Sequence, residues 1–211
     1  MLNSELEADR CAGIEMLAAE GHPGSIELLA GRLSIEQSPY VRRRIIHALG
    51  GTRCSFAAAV AVRLLSSPEA YVRNAALEIL RELGEAALPA VKKIVNHPSR
   101  NLRKLAADAL AGIPGDAAFS LLVAGLRDDD PNVVSACAEA LGSRRDPRAV
   151  PALVEVLKQS VDLWSAFGVI ESLVNLDDAG AMDVIDEFVS RPKWDGRERV
   201  ILAGIWAFAV S

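Results

Sequence analysis

The chain has 211 residues, 51 % of them apolar but only 5 % aromatic, with three cysteines and a net charge of −5. No run of about 18 apolar residues occurs, which excludes a membrane-spanning helix. The cysteines, Cys11, Cys54 and Cys137, show no CxxC or Cys/His spacing, which excludes a disulfide framework and a zinc site. The acidic segment Met1–Arg10 lacks a signal-peptide apolar core, so the expected location is the cytoplasm.

In chain order, Arg10, Ile14 and Leu17 lead a first helix, and a second follows around Ile26–Leu33. Ser38-Pro39 and Ser67-Pro68 each read as a helix opening, because a hydroxyl caps unpaired backbone donors and proline needs none at the first helical position. Gly50-Gly51, Gly84 and Gly112 to Gly115 fall between paired helices. Asp130-Pro131 opens another helix, with Val133, Cys137, Ala140 and Leu141 on one face and Gly142 expected to end it. Cys137 fills the slot of Ile45, Ala76 and Ala106, which predicts a reduced core thiol. Asp146-Pro147 then precedes the stripe Val150, Leu153, Val156 and Leu157.

Val41-Arg42, Val72-Arg73, Leu102-Arg103, Val133-Val134 and Leu163-Trp164 open these units at steps of 31, 30, 31 and 30 residues. So regular a period predicts a repeat solenoid, in which each unit buries its apolar face on its neighbours. The expected fold is all-α: a right-handed α–α superhelix of about five helical hairpins plus a terminal helix. It forms a single domain, 1–211, with approximate repeats 4–37, 38–67, 68–98, 99–129, 130–160 and 161–191 and a partial one at 192–211. The phrase x-Val-Arg-x-x-Ala-x-x-Ala-Leu-Gly, an Asp/Pro loop, then x-Val-Pro-x-Leu-x-x-x-Leu resembles the short bacterial HEAT-like repeats of the PBS-lyase type. It is carried best by Val41–Gly50, Val72–Leu83, Leu102–Gly112 and Val133–Leu157.

Charge alternates along the sequence: −5 over residues 1–39, +8 over 40–105, −10 over 106–190 and +2 over 191–211. Arg42, Arg73 and Arg103 hold one place in successive repeats, with Arg10 a further rung. Two readings stand open. In one, each arginine ties a carboxylate or helix-end carbonyl of a neighbouring turn. In the other, the row forms an anion-binding strip helped by Arg43, Arg44, Lys92, Lys93 and Lys104. Asp128-Asp129-Asp130 lacks the alternating ligands of a calcium loop and reads as a helix cap.

No catalytic constellation, cofactor site or metal site is expected. His22 and His97 each precede a proline in an inter-helix turn, His47 falls in a solvent-facing slot, and no Gly-rich phosphate loop, nucleophile elbow or HExxH occurs. The absence of a His-Glu dipeptide sets aside di-iron hydroxylase chemistry of the HEAT-repeat kind. The leading function is therefore a non-enzymatic protein-binding scaffold. Arg63, Lys93, Arg127, Glu155 and Lys158 are its contact candidates on second helices, and Trp194 is the candidate in a loop. Val200–Val210 is apolar on every side, so Ile205, Trp206 and Phe208 form a second candidate surface, with a homodimer through that segment possible. The resemblance also implies two alternatives: a bilin lyase-like accessory protein for a tetrapyrrole protein, and a HEAT-like nucleic-acid binder or alkylpurine DNA glycosylase. Its acidic balance disfavours nucleic acid.

Overall fold

The computed structural model describes residues 1–160, 163–191, 194 and 204, with only the backbone of 163–165. The expectations placed on Val200–Val210, including Ile205, Trp206 and Phe208, and on the Trp164 side chain lie outside the described residues.

Among the described residues the secondary structure is helical. In chain order the elements are α1 Glu7–Glu20, α2 Pro23–Leu33, α3 Pro39–Gly51, α4 Ser55–Leu64 and α5 Ala70–Leu83. A 3-10 turn, Gly84–Ala87, then runs into α6 Leu88–Val91. There follow α7 Arg100–Ala111, α8 Asp116–Gly125 and α9 Pro131–Ser143. A 3-10 turn, Pro147–Ala149, leads into α10 Val150–Gln159, and α11 Leu163–Asn175 and α12 Ala179–Val189 complete the set. The described helices make six consecutive pairs, one more than the five or so hairpins expected.

The chain divides into two compact units. The first holds Met1–His97 with Gly112–Gly115; the second holds Pro98–Ala111 and the described residues from Asp116 onward. In the first, α1 packs on α3 and α3 on α5, while α2 packs on α4 and α4 on α6. In the second, α7 packs on α9 and α9 on α11, and α10 packs on α12. Both cores are aliphatic: Ile14, Leu29, Leu33, Ile45, Leu49 and Leu80 in one, Leu110, Leu122, Leu141, Leu153 and Leu157 in the other. Each such side chain contributes about 2 kcal/mol by leaving water.

One residue in the turn inside each helix pair takes positive φ: Gly21, Arg53, Gly84, Gly115, Arg145 and Asp177. The turn thus reverses at one backbone position per pair, whether or not glycine occupies it. Asp130 caps α9 by accepting from the Asn132 N–H (2.9 Å), and Ser38 caps α3 by accepting from the Val41 N–H. Ser67 does not open α5. That helix begins at Ala70, and the Ser67 hydroxyl instead accepts from the Glu69 N–H in the turn before it.

Gly142 also departs from expectation. Helix α9 runs one residue past it, and a Cβ built on Gly142 would stand 2.8 Å from both Cα and Cβ of Ser172 in α11. The glycine is there for close approach between successive first helices, not to end one. Gly50 against Glu82 and Gly112 against Arg81 have the same character.

Candidate functional site

The ladder arginines turn back on their own chain. Arg10 donates from Nη1 to the Ser4 and Glu5 carbonyls (2.9 Å each), and Arg73 donates to those of Ser67 and Pro68 (2.8 and 2.7 Å). Arg42 donates to the Glu36 carbonyl and lies 4.1 Å from the Tyr71 ring centre. Arg103 donates to the Pro98 carbonyl (3.3 Å) and forks onto Asp128, from Nε at 2.7 Å and Nη2 at 2.8 Å. Each guanidinium therefore fastens the loop that enters its own helix, and two of them reach onward to a carboxylate. Planar forks suit that task better than ammonium groups.

Glu36, 1 % exposed at its side chain, is the hub of the first unit. It accepts from Arg10 (3.0 and 3.2 Å), from Arg32 (2.6 Å) and from the backbone N–H groups of Gln37 and Ser38 (3.0 and 2.9 Å). Burial alone would push its carboxyl up. The Ser38 N–H and the two guanidinium groups outweigh that and hold it at about 2. Asp128 is likewise held below the usual carboxylate range, first by Arg103. The aspartate run is thus divided in labour: Asp128 takes the arginine and Asp130 caps the helix.

The arrangement best suited to a ligand lies in the second unit, between α8 and α10. At their N-terminal ends the two helices are tied together. Arg148 donates to Asp116 (2.8 Å) and sits 4.7 Å from the Phe119 ring centre. Toward their C-terminal ends a cleft of about 330 Å³ lies between them. Its apolar lining is Val123, Leu126, Ala152 and Val156; its polar lining is Arg127, Asp128, Glu155 and Gln159. Among the described residues the Arg127 side chain makes no hydrogen bond or ion pair, while the Glu155 carboxylate accepts only from Gln159 (3.3 Å). A cleft this size takes one or two side chains of a peptide or a small organic group.

Two sequence-derived candidates, Arg127 and Glu155, are thus brought together. Lys158 is exposed near them on α10 but does not line the cleft. Arg63 is exposed on α4 and paired with Glu27 of α2; Lys93 is exposed in the turn after α6. Trp194, expected as a loop contact, is buried instead. Its indole N–H donates to the Phe188 carbonyl (2.8 Å), and its ring packs 5.2 Å from that of Phe188. An aromatic spent on packing is no longer a surface contact. Sequence reasoning did not single out Gln159 or the apolar lining as a binding surface, because only the placement of α8 beside α10 brings them around one cleft.

Among the described residues no three His, Cys, Asp or Glu side chains come together to hold a metal ion, and no helix is long and apolar enough to cross a membrane. His47 is paired with Glu82 (2.6 Å), and Nδ1 of His22 accepts from the Gly24 N–H that opens α2. Cys137 is buried, and that burial pushes its thiol up to about 12.

Solved structures similar to this chain include human deoxyhypusine hydroxylase in complex with glycerol. The identity is 16 %, the match covers 100 % of this chain and 91 % of that one, and the TM-score is 0.42. The complex of CpcE and CpcF of phycocyanin lyase from Nostoc sp. PCC7120 shows 19 % identity over 99 % and 91 % of the chains, at 0.42. Computationally designed armadillo repeat proteins for modular peptide recognition show 17 % identity over 86 % and 98 %, at 0.46. None of these likenesses bears on activity. No curated protein matches the chain. A family model described as HEAT repeats matches residues 26–96 and 88–173, more than half of the chain. With its paired helices and inter-repeat arginine ties, the chain belongs to the HEAT-repeat family.

Proposed function

We propose that the protein is a non-enzymatic interaction scaffold that binds a segment of a protein partner on the surface of its second helices. The observation that carries this reading is the cleft between α8 and α10. It pairs an apolar lining with an uncommitted cation, Arg127, and a carboxylate, Glu155, that no cation neutralises among the described residues. Such a combination suits a peptide of mixed charge. The apolar lining takes a side chain, and the two charges fix its orientation and register. Arg103 and Arg148 brace the cleft's walls, so it stands ready before a ligand arrives.

The test is selection of peptides from a random library on the intact chain, followed by calorimetric titration of the winners. Exchanging the two charges, Arg127→Glu with Glu155→Arg, is expected to weaken the selected peptides at least tenfold while leaving the unfolding midpoint in place. Peptides that bind the exchanged variant equally well, or a library that yields no binder, would overturn the proposal.

A further inference from the structure

Helix α2, in the first unit, leaves one face uncovered. Gly24, Leu28 and Gly31 fall on a stripe about 60° wide, and Ile35 continues it in the turn that follows. Leu28 is 58 % exposed and Ile35 62 %. With Leu2 of the N-terminal segment these residues line a groove of about 420 Å³. The space above Gly31 is open: a Cβ there would meet nothing within 4 Å. Two large apolar side chains, Leu28 and Ile35, thus stand beside one open gap, at Gly31; at Gly24 a Cβ would meet the His22 ring at 3.2 Å.

Laid antiparallel on a second copy, the stripe is self-complementary. The register that sets Leu28 opposite Gly31 also sets Ile35 opposite Gly24, because both pairs are centred between Leu29 and Ala30. A two-fold axis through that point repeats each contact, so Leu28 enters the open space at Gly31 at two places, and Ile35 packs at the other two over Gly24 and the His22 ring beside it. The same register sets Glu27 opposite Arg32. Each of these charges already has a partner in its own copy, Glu27 with Arg63 and Arg32 with Glu36. The rim therefore brings no uncompensated charge into contact, and the cross-pairing of opposite signs favours this register over its neighbours.

We infer that the α2 stripe is a two-fold interface and that its occupant is a second copy of this chain. This surface is separate from the cleft between α8 and α10, and the inference does not depend on the function proposed for that cleft.

The test is sedimentation equilibrium of the intact chain from roughly 1 to 200 µM, the range in which an interface of modest size associates. The wild type is expected to move from monomer to dimer. Gly31→Leu fills the receiving gap with a side chain whose Cβ meets nothing within 4 Å in its own copy, and it replaces a helical glycine. It is expected to weaken the dimer at least tenfold with an unfolding midpoint at or above that of wild type. Leu28→Glu, at an exposed position, is expected to weaken it similarly, whereas Trp206→Glu leaves it unchanged. A wild type that stays monomeric throughout would overturn the inference. So would a dimer that survives both α2 variants, or one that Trp206→Glu alone dissolves.

Discussion

Gly142 of α9 and Ser172 of α11 lie so close that a methyl group on the glycine would stand 2.8 Å from the serine Cα. The obstacle is backbone, which no rotamer change can move aside. Gly142→Ala therefore forces α9 and α11 apart and is expected to lower stability by about 1–3 kcal/mol. Gly51, at the end of α3, has open space at the same atom. Gly51→Ala is expected to stabilise by about 0.5–1 kcal/mol, since alanine loses less backbone freedom on folding. Urea unfolding of the two variants gives opposite signs if the glycines do these different jobs.

The turns offer a purer test of backbone conformation. Gly21 and Gly84 share φ 59°, and neither would meet an atom within 4 Å if it carried a Cβ. They differ in ψ, which is 12° at Gly21 and −132° at Gly84. The first lies in the left-handed helical region, and Arg53, Arg145 and Asp177, at φ 48°, 51° and 52°, show that side chains are tolerated at such φ. The second lies where a side chain crowds its own backbone. Gly21→Ala is expected to cost about 1 kcal/mol and Gly84→Ala about 2–3 kcal/mol. Equal losses in thermal unfolding would show that ψ is not what selects glycine at Gly84.

Glu36 links stability to pH. Its carboxyl titrates near 4.5 when the chain is unfolded and near 2 when folded. The stabilisation is therefore complete above about pH 4.5. It declines as the unfolded state gains its proton below that pH, and it is gone once the folded carboxyl protonates near pH 2. Glu36→Gln removes the charge that Arg10 and Arg32 share and is expected to cost about 3 kcal/mol at pH 7. The gap between variant and wild type is expected to narrow as unfolding is measured from pH 7 down to pH 3. A gap independent of pH would mean that shape, not charge, makes the residue necessary.

The repeat architecture was legible because its signals are local. A proline after a capping residue at Ser38 and Asp130, apolar residues at helical spacing, and a fixed period each follow from the backbone's own needs. Arg10, Arg42, Arg73 and Arg103 stood out by position, and Arg127 and Glu155 by their place on second helices. What the sequence hid depends on distances between helices. Gly142 reads as a helix stop because nothing local shows that Ser172 will press on it. Arg145 and Asp177 carry no mark of positive φ, since the turn imposes it. The cleft beside Arg127 depends on where α8 and α10 lie beside each other, and nothing local shows that Phe188 will pack against Trp194.

The three cysteines sort by packing in a way reagents can read. Cys137 is buried against α8, where a Cβ on Gly125 would run into its sulfur, and burial holds its thiol near 12. Its thiolate is therefore scarce at pH 8, and its sulfur is shielded from any reagent. Cys11 and Cys54 are half-buried and within reach of solvent. Titration of the folded protein with a chromogenic disulfide is expected to consume two thiols promptly, with the third appearing only at the rate of unfolding and rising to full yield in denaturant. Prompt reaction of all three in native buffer would mean that α8 and α9 open readily where Gly125 meets Cys137. The Cys137→Ala variant, which removes the slow phase alone, assigns it.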